Sequence, residues 1–120
     1  QDGRAIRFTT QSPDNYVAPL NIDENITIDQ FHLGNAYPNP FNPTTNFNLI
    51  VEKKGDATIN IIDILGRQVA TIYQGVLVKG HYNFSWDGKN NSGMTLGSGA
   101  YFTVVKMDKK IEIQKLLMLK

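Results

Sequence analysis

From residue 45 to the end of this 120-residue chain, apolar side chains recur at every second position in short runs separated by Gly, Asn and Asp. Period two is the signature of a half-buried β-strand, whose successive side chains point to opposite faces. No segment repeats at the helical period. Phe47, Leu49 and Val51 alternate with Asn46 and Asn48, and the polar run over residues 52–56 then turns the chain. Ala57, Ile59 and Ile61 share one face, with Thr58 and Asn60 on the other. Leu65-Gly66-Arg67 reads as a tight turn, because Gly tolerates positive φ, and residues 69–73 return as a third strand. Tyr82, Phe84 and Trp86 oppose His81, Asn83 and Ser85. After a polar loop over residues 87–93, residues 101–107 form another strand, residues 108–110 turn it, and residues 111–119 close the fold. Six short strands predict an all-β sandwich, and an earlier strand would make about seven.

The chain ahead of this region is written differently. Its first 35 residues set Asp2, Asp14, Asp23, Glu24 and Asp29 against Arg4 and Arg7, so they are acidic, and Pro13 and Pro19 punctuate them. Leu20, Ile22, Ile26 and Ile28 nevertheless alternate with Asn21, Asp23, Asn25, Thr27 and Asp29, which is a strand pattern; Ile6 and Phe8 give a weaker one. The expectation is an extended amino-terminal arm over residues 1–32 and a sandwich over residues 33–120. An amphipathic strand outside a sandwich either lies on its own domain or adds to a neighbour's sheet. Leu20, Ile22, Ile26 and Ile28 are therefore the candidate partner-binding strand.

Composition removes several classes of function. With no Cys there is no disulfide scaffold, thiolate metal site or thiol nucleophile. Twelve Lys and Arg against eleven Asp and Glu leave a formal charge of +1, too weak a field to grip a nucleic acid. No apolar run approaches the roughly 20 residues of a membrane helix, so no transmembrane segment is expected. Gln1 in place of Met suits a mature amino terminus left after export.

The most specific string is Tyr37-Pro38-Asn39-Pro40-Phe41-Asn42-Pro43-Thr44-Thr45. It resembles the opening motif of the carboxy-terminal sorting domains of the type IX secretion system. Asp63-Ile64-Leu65-Gly66-Arg67-Gln68-Val69, Trp86-Asp87-Gly88 with Gly93, Ser98-Gly99-Ala100-Tyr101-Phe102 and the terminal Lys115-Leu116-Leu117-Met118-Leu119-Lys120 resemble later parts of the same family, in order. The resemblance covers residues 33 to 120. It implies an immunoglobulin-like antiparallel β-sandwich, similar to the immunoglobulin-like part of flagellar hook-capping proteins. It also implies a domain read by outer-membrane export machinery and then removed or exchanged for a surface anchor. Members of that family normally follow a large enzyme or adhesin, whereas about 32 residues precede the domain here.

The motif residues have physical roles of their own. Pro38, Pro40 and Pro43 fix φ and remove three backbone donors, so this segment, with Tyr37 and Asn39, is expected to run extended and to cross between sheets. Gly66 and Gly99 fit turns, Trp86 and Tyr101 fit the inter-sheet core, and Asp87 fits an Asx-turn ahead of Gly88. Lys115 belongs with lysines 106, 109, 110 and 120 to a basic terminal region suited to guarding an edge strand.

No catalytic, metal or cofactor residue is assigned. Ser85 and His81 share a strand face, yet no Gly-x-Ser-x-Gly elbow accompanies them. Asp87, Asn90 and Asn91 invite a calcium reading, but Lys89, Ser92 and Ser98 stand where an EF-hand needs ligands and Gly. The expectation is a non-enzymatic module, exported to the cell surface or beyond, whose partners are proteins: export machinery or neighbouring copies. The alternative is a subunit of an extracellular filament polymerised by donation of residues 1–32. A carbohydrate-binding accessory domain is weaker, since the aromatics are phased with the core.

Overall fold

The computed structural model describes residues 30–120. The strand-like segments expected within residues 1–29, Leu20, Ile22, Ile26 and Ile28 among them, lie outside the described residues. Seven strands follow one another: β1 (Phe31–Leu33), β2 (Thr45–Val51), β3 (Gly55–Asp63), β4 (Gln68–Leu77), β5 (Gly80–Trp86), β6 (Gly99–Met107) and β7 (Lys110–Met118). They form two antiparallel sheets, ordered β1-β2-β5 and β4-β3-β6-β7: the sandwich expected from the alternation, and immunoglobulin-like as the resemblance implies.

The alternating rows become the dry interior. Phe47, Leu49 and Val51 of β2 meet Ala57, Ile59 and Ile61 of β3 and Tyr101, Val105 and Met107 of β6 in one buried cluster. Each fully buried aliphatic or aromatic side chain contributes about 1.5–3 kcal/mol relative to exposure. Thr103 sits among them with its hydroxyl unpartnered.

Two elements differ from expectation. β1 holds three residues, too short to show a period, and begins at Phe31, two residues ahead of the boundary expected at 33. It is held because Phe31 is wholly buried and pairs with Val51. β4 outruns the expected residues 69–73 in both directions, reaching Leu77. Register shifts between Ile59 and Asn60 and between Ile61 and Ile62 bend the β3–β4 ladder, and an alternation broken by bulges is hard to follow by period alone.

Candidate recognition surface at the motif end

Antiparallel register gathers the separated motifs at one end of the sandwich. Thr45, where β2 starts, pairs with Trp86, where β5 ends. Asp63 ends β3 opposite Tyr101 near the start of β6, and Tyr101 and Gly99 in turn pair with Leu116 and Met118 at the end of β7.

The proline segment ties the two sheets together there. Tyr37 exchanges backbone hydrogen bonds with Asn46 of the first sheet. Four residues on, the Phe41 amide donates to the Leu117 carbonyl, and the Phe41 carbonyl accepts from the Leu119 amide of the second. The chain bends at residues 38–40 and 42–43 and does not run extended as expected, but it does cross between the sheets. Prolines supply no amide, and the Asn39 side chain takes over that work. Its Nδ2 donates to the Lys115 carbonyl and its Oδ1 accepts from the Leu117 amide, both at 2.9 Å. The buried Thr45 hydroxyl donates to the Pro38 carbonyl at 2.7 Å. Pro38, Pro40 and Lys115 stay exposed at the surface.

Beneath this strap lies an aromatic cluster. Trp86, 2% exposed, meets Phe41 at 5.7 Å between ring centroids and Tyr101 edge-on at 5.2 Å. The indole Nε1 donates to the Lys89 carbonyl, so the polar end of the ring is satisfied where it leaves the core. Asp87 Oδ1 accepts from the Lys89 amide in the expected Asx-turn. Gly88 follows with φ +75°, and a Cβ there would stand 2.8 Å from Met118 Sδ and 3.3 Å from the Pro43 carbonyl. Position 88 therefore needs Gly for conformation and for space alike.

The β3–β4 hairpin is organised by Asp63, which opens the Asp63–Val69 motif but has no role assigned to it from sequence. Its Oδ1 accepts from the Leu65 and Arg67 amides and its Oδ2 from Arg67 Nε at 2.8 Å. The Arg67 amide bond, joined by the guanidinium and the Leu65 amide, holds this carboxyl below the usual carboxylate range despite partial desolvation. Gly66, at φ +84°, closes the turn. Burial, with the Asp63 charge behind it, pushes the Tyr101 phenol up, and its O–H donates to the Gly97 carbonyl. The available signal for Asp63 was an Asp placed three residues ahead of a turn Gly.

Asn90 and Asn91, weighed in the sequence as calcium ligands, spend their side-chain oxygens on amides. Asn90 accepts from Ser92 and Met94, and Asn91 from Thr71 of β4. Among the described residues no three His, Cys, Asp or Glu side chains come together. Ser85 and His81 lie exposed on the outer face of β5.

The motif residues are thus ligatures, and what they hold up is a surface. Ile64 and Leu65 at the hairpin tip are 74% and 73% exposed, and Tyr37, Met94 and Leu119 are exposed at the same end. Arg67, Lys89, Lys115 and Lys120, on or next to the same motif segments, are exposed as well. Lys120 is itself anchored, its amide donating to Ser98 Oγ and its Nζ to the Leu96 carbonyl.

The FlgD Ig-like domain family matches residues 34–110 of the chain. Over 59 residues the chain is 39% identical to the basal-body rod modification protein FlgD of Salmonella typhimurium and to that of Salmonella typhi. That stretch covers 48% of this chain and 25% of each relative, so the chain spans about a quarter of their length. Among solved structures, dimeric latent PorU from Porphyromonas gingivalis superposes with a TM-score of 0.57 at 15% identity, over 77% of this chain and 10% of that one; the likeness is one of fold. FlgD from P. aeruginosa superposes at 0.49 with 28% identity, over 62% of this chain and 60% of that one.

Proposed function

Because the chain belongs to the FlgD Ig-like domain family, we propose that it is a non-catalytic structural module, and more narrowly the sorting and attachment domain of an exported, surface-bound protein. Its motif end is the face presented to a protein of the export machinery. The observation that carries this reading is the convergence of five separated motifs on one end, where side-chain hydrogen bonds over a buried aromatic cluster hold exposed aliphatic side chains in place. An exposed Ile-Leu pair on a rigid hairpin is poorly suited to water and well suited to a protein partner. The Salmonella relatives are basal-body rod modification proteins, which favours a role in protein assembly over chemistry.

The test is a fusion of the 120-residue chain to a reporter, expressed in a bacterium with a working type IX system. The reporter is expected at the cell surface, and retention in the periplasm would count against the sorting role. Replacing both Ile64→Asp and Leu65→Asp, exposed and free of core contacts, is expected to leave the fold intact and cut surface display at least tenfold. Undiminished display would move the recognition surface elsewhere. The alternative, a filament subunit polymerised by donation of residues 1–32, turns on a segment of which residues 1–29 lie outside the described residues.

A further inference from the structure

Between β5 and β6 the chain folds back against the start of β4 and leaves a cleft beside it. The cleft holds about 450 Å³, within the range of small-molecule sites. Its walls are pinned. The Asn91 amide donates to the Val69 carbonyl, and Asn91 Oδ1 accepts from the Thr71 amide at 2.9 Å. Asn90 Oδ1 is held by the Ser92 and Met94 amides, and on the hairpin side Arg67 Nε is held by Asp63.

These bonds leave polar atoms of both kinds unspent. An amide side chain whose oxygen is taken by a backbone N–H keeps its NH2, so Asn90 and Asn91 each retain an Nδ2 with two hydrogens to give. Arg67, 72% exposed, spends only Nε, and its terminal nitrogens remain a planar fork of donors. The Ser92 hydroxyl can donate or accept. Gln68, whose Nε2 donates to Thr71 Oγ1, keeps Oε1 as an acceptor. Among the described residues none of these atoms has a protein partner.

The lining also sets the ligand's charge. Asp63 and Arg67 are its two charged residues, of opposite sign and bonded to each other at 2.8 Å, so the cleft offers no net field to an anion or a cation. An extended peptide has little to pair with there, because Asn91 already occupies the Val69 carbonyl and the Thr71 amide on the outer edge of β4. A hydroxyl both donates and accepts, so a polyhydroxyl ring meets amide NH2, guanidinium and carbonyl oxygen alike. Val69 and Leu96 add aliphatic surface for the C–H face of such a ring. Trp86 and Tyr101 are buried, so recognition here runs through hydrogen bonds and not through stacking.

We propose that this cleft binds a neutral saccharide of about disaccharide size, with Arg67, Asn90, Asn91 and Ser92 donating to its hydroxyls and Gln68 accepting from one. The inference stands apart from the sorting role, and its test involves no export.

Amide chemical shifts of the full chain decide it, followed while cellobiose, maltose and mannobiose are added in turn. At least one of the three is expected to move Arg67, Asn91 and Ser92 with a dissociation constant of about 1 mM, and to leave Ile50 and His81 on the other sheet unmoved. Asn91→Asp keeps an oxygen for the Thr71 amide but loses Nδ2, and should weaken binding about tenfold. Ser92→Ala keeps the backbone amide that bonds Asn90 and loses only the hydroxyl, for about a threefold loss. An unchanged Val105 amide in the core shows that both variants fold. No response at Arg67, Asn91 and Ser92 to any of the three sugars at about 50 mM would overturn the proposal. So would undiminished binding in both variants, or a stronger response to glucuronate or to a short acidic peptide, which would assign the cleft to a carboxylate.

Discussion

The two ends of the sandwich are secured by different physics. At the motif end, side chains of Asn39, Asp63, Asp87, Asn90 and Asn91 stand in for backbone partners, and Trp86, Phe41 and Tyr101 fill the space beneath. At the far end β1 is held by its short ladder to β2 and by one half-buried ion pair, Lys110 with Glu112 at 2.8 Å, which also reaches across to the β1 backbone. Many short-range, geometry-bound contacts make one end a fixed shape. A few longer side chains make the other an adjustable seam, and that seam is where the chain enters the domain.

If this contrast is right, damage to the motif end spreads. Trp86→Ala removes a buried ring that touches both Phe41 on the strap and Tyr101 on β6. It should cost about 3–5 kcal/mol. Urea denaturation followed by circular dichroism measures the loss, and a cost under about 1 kcal/mol would mean that the cluster is looser than its geometry indicates. The strap should loosen with it, read as faster exchange of the Phe41 and Leu119 amides.

How much of this contrast was legible follows from the same physics. The rows Phe47-Leu49-Val51 and Ala57-Ile59-Ile61 announced their strands because one face of each is wholly buried, and burial is what writes period two into a sequence. Trp86, Tyr101 and Gly66 were placed correctly because large rings and turn glycines have few alternatives. Asp63 was visible only as the first residue of a motif, its role unread, because a carboxylate that organises a turn looks, in sequence, like any solvated acid. β1 offered three residues and one buried side chain, below what periodicity can register. β7 shows alternation plainly, yet its first half carries Lys110, Glu112 and Gln114 inward and Ile111 and Ile113 outward. The pattern yields the strand but not which face is buried, since polar groups are drawn in by the open backbone of β1.

The far end should respond locally and to salt. Lys110→Ala removes the hydrogen bond to the Phe31 carbonyl and the ammonium 4.8 Å from the Phe31 ring centroid. It is expected to cost about 1–2 kcal/mol. Combined with Glu112→Ala in a double-mutant cycle, it should show a coupling of about 0.5–1 kcal/mol that shrinks in 1 M salt, as partly exposed ion pairs do. A salt-independent coupling would assign the seam to packing. Exchange at the motif end, at Leu65 and Arg67, should be the same in both single variants. A change there would erase the distinction between the ends.

The finest division between the ends lies in their response to acid. The Asp63 carboxylate, held below the ordinary range first by the Arg67 amide and then by its guanidinium and the Leu65 amide, binds a proton less readily folded than unfolded. Its contribution to the hairpin is therefore complete above the unfolded value, about 3.9 for an Asp, and is lost as pH falls through the lower folded value. Amide shifts of Leu65 and Arg67 should titrate with a midpoint below that of a free Asp peptide, while the Phe31 and Leu33 amides do not follow that midpoint. Asp63→Asn keeps one acceptor oxygen but has no charge for Arg67. Its Leu65 and Arg67 shifts should be flat over the same range, with the guanidinium released at every pH. A midpoint at or above the free-peptide value in the parent chain would mean that the tip is not fixed by this carboxylate. The rigid display of Ile64 and Leu65 would then need another cause.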